Sequence, residues 1–277
     1  MTLHPLPRVL VFDSGVGGLS IFQAIARHLP GVSLRYLSDN AAFPYGTRAE
    51  DELIQRVEQV MTQALARIQP DLLVIACNTA STLTLPMLRQ RFPLPVVGVV
   101  PAIKPAALLS RSKTIGLLAT PATVARPYTH QLIADYASDC TLIPVGSSRL
   151  VHLAEQRLRG EPVAAADIDE VLQPFFQHPA AAAMDTLVLA CTHFPLLAAE
   201  LASALGGRVR LVDSGEAIAR RVASLLPGTA SSLLAPVDSH RAFFTAESPQ
   251  VHMLVPALGR YGIGGTEILD IPFQSPS

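Results

Sequence analysis

The sequence predicts an α/β protein with two similar lobes, each a mainly parallel sheet flanked by helices. Short apolar runs alternate with helical patterns along the chain, and a cysteine follows the third apolar run of each half. Buried parallel strands form continuous apolar runs because helices cover both of their faces. The predicted strands are Val9–Phe12, Leu34–Leu37, Leu72–Ala76 and Val96–Val100 in the first half, then Thr114–Leu118, Leu142–Val145, Thr186–Ala190 and Val209–Val212 in the second.

The composition favours a globular protein and indicates no nucleic-acid or membrane partner. Of the 277 residues, 49% are hydrophobic and 16% are charged, whereas about 25% are charged in typical globular domains. The net charge is −1 and the basic residues do not cluster, so no phosphate-backbone surface is expected. No apolar run approaches the roughly 18 residues of a membrane span. Residues 1–8 lack a signal-peptide pattern, so we expect a cytoplasmic protein with reduced cysteines.

Two helical patterns are clear. In Thr47–Gln69, Thr47 and Glu50 have the spacing of a capping box, in which both side chains bind free amides at the helix start. The apolar residues that follow at three- or four-residue spacing are Leu53, Ile54, Val57, Val60, Met61, Ala64, Leu65 and Ile68. Ser147–Gly160 predicts a second helix, with a serine at its start and a glycine at its end.

Internal repetition indicates that the two halves are alike. The segment Leu73–Thr79 resembles Leu187–His193, and each contains a cysteine just after its predicted strand. A second local similarity relates Val11–Gly15 to Leu211–Gly215. We interpret these matches as two α/β lobes that face one another. Because ligands of parallel sheets bind at the carboxyl ends of the strands, one shared cleft is expected to hold the site.

Cys77 and Cys191 are the strongest indication of chemistry. Amides at a helix start stabilise a thiolate, and both cysteines lie at a predicted strand-to-helix junction. The functional hypothesis is a pair of acid/base groups on opposite sides of one substrate carbon. The alternative is two small buried apolar side chains, which is the commonest role of a free cysteine. The matching positions favour the first hypothesis, whereas Cys140 has no such neighbours and is interpreted as structural.

Two further loops at strand ends have two interpretations each. Asp13 could bind a substrate ammonium group or only cap the next helix. The glycines of Asp13–Gly18 do not fit a dinucleotide fingerprint, but they would let backbone amides approach a carboxylate. Phe43–Gly46 is either a simple turn or a segment that presents amides to an anion.

His193 and Glu155 are weaker candidates. His193 lies two residues after Cys191, where it could support that thiol, although an isolated histidine near a strand end is more often structural. Glu155 lies in the predicted helix at 147–160, where the default interpretation is a solvated charge.

No cofactor or metal is expected. The two lysines, Lys104 and Lys113, lie in a proline-flanked segment and a polar loop, where neither suits a Schiff base with pyridoxal phosphate. No group of histidine, cysteine and acidic residues has metal-ligand spacing. Side chains alone would therefore perform any chemistry.

Five motifs together resemble the glutamate racemases, within the aspartate/glutamate racemase group. They occur in the family's order: Asp13–Ser20, Asn40–Gly46, Ala76–Ser81, Cys191–Leu197 and Val212–Gly215. The resemblance implies cofactor-independent interconversion of L- and D-glutamate, which supplies D-glutamate for peptidoglycan. It also implies that Cys77 deprotonates D-glutamate and that Cys191 deprotonates L-glutamate.

Motif positions imply roles for other residues. The implied substrate contacts are Asp13, Ser14, Tyr45, Gly46, Asn78, Thr79, Thr192 and His193. Asp13 and His193 would assist the thiols, and Asp39 and Glu155 lie where the family has further supporting acids. The family architecture implies a first lobe of residues 1–98 and 210–277 and a second lobe of residues 99–209.

Two rival functions stay open on the sequence alone. One is a two-cysteine racemase for aspartate or another acidic substrate, and the other is a non-catalytic two-lobed protein that binds a small anion. The sequence gives neither the oligomeric state nor an answer on whether a peptidoglycan precursor activates the protein, as in some relatives.

Overall fold

The computed structural model describes residues 6–226 and 239–273. The strands of this part are β1 (Arg8–Asp13), β2 (Ser33–Ser38), β3 (Leu72–Ile75), β4 (Val96–Gly98), β5 (Thr114–Ala119), β6 (Thr141–Gly146), β7 (Thr186–Leu189), β8 (Arg210–Val212), β9 (His240–Phe244) and β10 (Ile263–Ile268). The α-helices are α1 (Leu19–His28), α2 (Glu50–Ile68), α3 (Asn78–Arg91), α4 (Ile103–Leu109), α5 (Pro121–Ala125), α6 (Pro127–Tyr136), α7 (Arg149–Leu158), α8 (Ala165–Gln177), α9 (Ala198–Ala204), α10 (Gly215–Leu225) and α11 (Pro249–Arg260).

The predicted α/β class is confirmed. Each of the eight predicted strands occurs within two residues of its expected bounds, and every strand pairing in the described residues is parallel. β9 and β10 were not predicted. They extend the first sheet beyond β2. β9 begins with His240 and Arg241 and β10 contains two glycines, so neither has the continuous apolar run expected of a buried strand. Among the described residues, no helix has the length and apolar character needed to cross a membrane.

The chain forms two compact units, which we call the first and second lobes. The first lobe comprises Met1–Val99 and Gly215–Ser277, and the second comprises Val100–Ser214. The strand order is β10-β9-β2-β1-β3-β4 in the first sheet and β6-β5-β7-β8 in the second. The expected division at residues 209/210 falls before β8. Because β8 pairs with β7, the second lobe runs on to Ser214 instead.

Four strands of each lobe follow the same plan. β2-β1-β3-β4 and β6-β5-β7-β8 have equivalent orders, and a cysteine follows β3 and β7, which are the third strands in chain order. The second local similarity, between Val11–Gly15 and Leu211–Gly215, does not relate equivalent strands. Asp13 ends β1, a first strand, whereas Asp213 follows β8, a fourth strand. The shared Asp-Ser-Gly sequence therefore marks a strand end followed by a helix and not equivalent positions.

The start of α2 differs from the prediction. The helix begins at Glu50 after Ala49, with no side-chain cap, so the capping box is wrong. Thr47 lies instead in a 3-10 turn and donates its hydroxyl to the Pro44 carbonyl at 3.2 Å. The serine expected at the start of α7 does act as a cap, because Ser147 Oγ accepts the Leu150 amide at 3.1 Å.

The core of the first lobe lies directly below the candidate site. Val9 to Phe12 of β1 are fully buried, as is all of β3, and α2 and α3 pack against this side of the sheet. In such a closely packed core, changing a side chain by even one methylene group lowers stability. The core therefore holds the carboxyl ends of these strands, and the side chains that follow them, in fixed positions.

Candidate functional site

In the first lobe, predicted site residues meet at the ends of the adjacent strands β1 and β3. Asp13 ends β1 with a fully buried carboxylate, whose Oδ1 accepts the Gly15 amide at 2.8 Å and the Ser14 hydroxyl at 3.5 Å. Ser14 Oγ lies 3.9 Å from the sulfur of Cys77. The structure thus brings Asp13, Ser14 and Cys77 together. Asp13 does not cap α1, because the residue before that helix is Gly18 and no side chain caps it, so the capping interpretation is wrong. The ligand role of Asp13 stays a prediction.

Cys77 is the residue immediately before α3, as predicted. Its side chain is 7% exposed, and its carbonyl accepts the Ser81 amide at 2.8 Å. Ser81 ties α3 to the sheet, because its hydroxyl donates to the Ile75 carbonyl at 2.8 Å and accepts the Val99 amide at 3.0 Å. Cys77 is thus the N-cap residue of α3, although its sulfur makes no cap bond to the helix amides. The positive end of a helix dipole favours a negative charge at this position.

Asn78 and Thr79 begin α3 and are both nearly buried, with 6% and 5% exposure. The side-chain oxygen of Asn78 is buried, and no hydrogen-bond partner for it occurs among the described residues. An unsatisfied buried acceptor costs about 1–3 kcal/mol. A donor on a bound ligand would remove that cost.

Gly18 permits the close approach of its loop to Asp13. A β-carbon at Gly18 would lie 2.8 Å from the Asp13 β-carbon, 3.1 Å from the Ala76 β-carbon and 3.1 Å from the Tyr36 ring. The last glycine of the Gly-Val-Gly-Gly segment is therefore required for packing beneath the site.

We expect Gly18→Ala to lower the free energy of unfolding by about 1–3 kcal/mol, because the added methyl group overpacks the site. It should also lower kcat/KM for the reaction at this site, since the Asp13 side chain must shift to make room for the methyl group. Urea unfolding and turnover measure the two effects. Gly259→Ala in α11 is the matched control, because a β-carbon there meets nothing within 4 Å. Equal stability and activity of the two variants would contradict the packing argument.

Tyr45 and Gly46 follow β2 in a short 3-10 turn, Tyr45–Thr47. The presentation of amides from this turn to an anion stays a prediction. The Tyr45 side chain is 1% exposed and donates its hydroxyl to Asp39 Oδ2 at 2.5 Å. Burial, the adjacent Asp39 carboxylate and the charge of Cys77 raise the pKa of Tyr45 well above its ordinary value. Tyr45 is consequently a neutral hydrogen-bond donor held near Cys77.

Asp39 does not fit the role of a supporting acid. Its Oδ1 accepts from Arg56 Nη2 at 2.6 Å and from the Thr245 hydroxyl at 2.7 Å, and its Oδ2 accepts from Arg56 Nε at 2.9 Å and from Tyr45. Both oxygens are occupied by donors of the protein. The implied participation of Asp39 in proton transfer is therefore disfavoured.

In the second lobe, Cys191, His193 and Glu155 form a linear arrangement. Cys191 Sγ lies 3.9 Å from His193 Nδ1, and His193 Nε2 lies 2.9 Å from Glu155 Oε1. If Nε2 carries the proton donated to Glu155, Nδ1 of the neutral ring is an acceptor that faces the thiol. His193 is 3% exposed and Glu155 is 9% exposed, so the solvated interpretation of Glu155 is wrong. Thr192 is buried beside them.

Cys191 differs from Cys77 in its local backbone. It begins a turn, closed by a bond from the Phe194 amide to its carbonyl at 3.1 Å, and only a 3-10 helix, Phe194–Leu197, follows. No α-helix starts at this thiol, so the expected helix-start environment holds for Cys77 alone. In the second lobe the neighbouring polar group is His193.

Three polar residues were missed by the sequence analysis, and two of them, Arg56 and Thr245, are buried. Arg56 lies on the apolar face of α2, one turn from Leu53 and Val60, and a charge on such a face was a usable signal. Thr245 follows the unpredicted strand β9, so its position gave no signal. Thr120 is partly buried and follows β5, the neighbour of β7, and its hydroxyl accepts the Thr123 amide at 3.3 Å.

The comparisons with known proteins agree with this arrangement. The family model of the Asp/Glu/Hydantoin racemases matches residues 14–222. The chain belongs to the Asp/Glu/Hydantoin racemase family. This family member is 51% identical to the glutamate racemase of Pectobacterium carotovorum over 96% of its own length and 92% of that protein. The sequence-based assignment to the aspartate/glutamate racemase group is thus confirmed.

Solved structures of the family have the same fold. Escherichia coli glutamate racemase, in complex with L-glutamate and the activator UDP-MurNAc-Ala, matches with a TM-score of 0.89 and 46% identity, covering 98% of this chain and 100% of that one. A glutamate racemase isoform from Bacillus anthracis matches with a TM-score of 0.80 and 29% identity, with the same coverage. The two-sheet α/β architecture of this racemase-family chain is therefore that of the glutamate racemases.

Proposed function

We propose that the protein interconverts L- and D-glutamate without a cofactor, using Cys77 and Cys191 as two acid/base groups, and that it supplies D-glutamate for peptidoglycan. The observation that carries this proposal is the equivalent placement of two buried thiols after β3 and β7, each beside polar groups suited to support it. Similarity to glutamate racemases over nearly the whole chain supports glutamate as the substrate.

The chemistry requires a polar, preorganised site. Loss of the α-proton leaves an electron pair that spreads into a carboxylate already carrying a negative charge, so donors must stabilise a second developing charge. Suitable donors among the proposed substrate contacts are backbone amides and the side chains of Ser14, Asn78, Thr79 and Thr192. The other proposed contacts are Asp13, Tyr45, Gly46 and His193. The buried oxygen of Asn78 would accept a hydrogen bond from the substrate ammonium group.

Two thiols avoid the need for one base to move around the substrate. One thiolate takes the α-proton from one face while the other thiol gives its proton to the opposite face, so each turnover leaves the two sulfurs in exchanged protonation states. In the proposal, Cys77 removes the proton of D-glutamate and Cys191 that of L-glutamate. Asp13 assists Cys77, and His193, oriented by Glu155, assists Cys191.

The biological setting is also part of the proposal. All three cysteines are free thiols, which suits the reducing cytoplasm. A nucleotide-linked peptidoglycan precursor of the kind bound to the Escherichia coli relative is a candidate activator.

Turnover assays on L-glutamate, D-glutamate and L-aspartate test the proposed function. We expect racemisation of both glutamate enantiomers, with kcat/KM for L-aspartate at least about tenfold lower, because a one-methylene difference in a shaped pocket changes discrimination by roughly 10–200-fold. A preference for aspartate would support the first rival. Ligand binding with no racemisation of any substrate would support the non-catalytic anion-binding rival.

A further inference from the structure

The strongest polar cluster outside the two thiol environments surrounds the ion pair of Asp39 and Arg56. Their side chains are 0% and 2% exposed, and the guanidinium contacts both carboxylate oxygens in a two-pronged arrangement. Such a fork fixes the relative orientation of two planar groups as well as their distance. The pair therefore holds α2 and the loop after β2 in a fixed relative position within the first lobe.

Arg56 joins this pair to the end of the described chain. Its Nη2 donates to the Ile271 carbonyl at 2.6 Å, and its Nη1 donates to the Pro272 carbonyl at 2.9 Å. The guanidinium also lies 5.6 Å from the ring centre of Phe273. One side chain on α2 consequently holds both Asp39 and residues 271–273.

Asp39 connects the ion pair to the candidate site through two hydrogen bonds. Its side chain accepts the Tyr45 hydroxyl, and its backbone amide donates to the Asp13 carbonyl at 2.9 Å. Tyr45 packs in the same buried cluster as Cys77. A displacement of Asp39 would thus move groups on both sides of that thiol.

We propose that Arg56 and Asp39 are positioning residues for glutamate racemisation, which hold Tyr45 and the adjacent Gly46 in the place where they bind substrate. The inference rests on the proposed function. It explains why a buried ion pair occurs here, since hydrophobic replacements of such pairs are often neutral or stabilising and stability alone does not require one.

Two variants test the proposal. Arg56→Lys retains the charge but loses the fork, and Tyr45→Phe retains the ring but loses the bond to Asp39. We expect both to fold, with kcat/KM for glutamate lowered by about 10–100-fold, mainly through a higher KM, because displacements of about 1 Å have effects of this order. Arg91→Lys is the matched control, since its pair with Glu58 is exposed and activity should not change.

Each outcome has a distinct meaning. Circular dichroism and thermal unfolding report the folded fraction, and initial rates on glutamate report KM and kcat. The positioning role is wrong if the wild type is active and the folded variants have the wild-type KM. It is also wrong if the activity of the variants falls only in proportion to their folded fraction. If Arg56→Lys does not fold, Asp39→Asn takes its place, because it keeps the size of the side chain and removes one of the two oxygens that the fork contacts. A folded Asp39→Asn variant with the wild-type KM would equally contradict the positioning role. An inactive wild type would contradict the proposed function instead.

Discussion

Replacement of either Cys77 or Cys191 with alanine is expected to lower kcat/KM for racemisation by about 10³-fold or more, in both directions. A single acid/base group contributes roughly 10²–10⁴-fold. In the proposed reaction both thiols act in every turnover, one as the acceptor and one as the donor of a proton. Loss of one sulfur therefore stops L-to-D and D-to-L conversion alike.

Cys140→Ala is the matched control for both cysteine variants. Cys140 is half-buried in the second lobe, where its thiol donates to the side chain of the adjacent Asp139 at 3.4 Å. Its removal should leave kcat/KM unchanged. Initial rates from both enantiomers measure the effect, and circular dichroism checks folding. A folded single variant of Cys77 or Cys191 that racemises at the wild-type rate would contradict the role of that thiol.

Replacement of His193 with alanine is expected to have the second-largest effect, a loss of about 10²-fold in kcat with a smaller change in KM. The imidazole nitrogen Nδ1 lies 3.9 Å from Cys191 Sγ, so it can accept or return the proton of this thiol. The variant lacks the imidazole base beside Cys191, so we expect proton transfer to and from this thiol to become slower.

Glu155→Gln separates orientation from charge in the same cluster. The amide can still bond to His193 Nε2, so we expect a smaller loss, on the order of tenfold in kcat, and a changed pH profile. Glu170→Gln on α8 is the control, because Glu170 is exposed and lies at the end of a 4.0 Å ion pair. If His193→Ala and Glu155→Gln retain the wild-type kcat and pH profile, the support of Cys191 by this cluster is wrong.

Much of the fold could be predicted because buried parallel strands are apolar along their whole length. β1, β3, β5 and β7 have this character, and the repeated cysteine motif predicted two similar lobes, whereas the strand order comes from the structure alone. β9 and β10 lack it, since β9 begins with His240 and Arg241 and β10 contains two glycines. β9 continues the sheet by pairing with β2, and β10 by pairing with β9, and such pairing is not a local property of the sequence.

The candidate site was predictable where local sequence decides the geometry. Cys77 directly precedes α3, which is separated from the end of β3 by two residues, whereas Cys191 precedes a turn that only the three-dimensional path reveals. The partner of Asp39 could not be predicted from the motif, since Arg56 is 17 residues further along the chain. Contacts of this kind depend on packing of α2 against the sheet, not on spacing.

The most direct test of the two-thiol account is the isotopic exchange at the α-carbon of glutamate. D-Glutamate is incubated in deuterated water with the wild type and with the Cys77→Ala/Cys191→Ala double variant, and the α-position is followed by proton NMR. The account predicts that L-glutamate formed by the wild type carries deuterium and that the folded double variant catalyses no exchange. Exchange that persists in the double variant would contradict it.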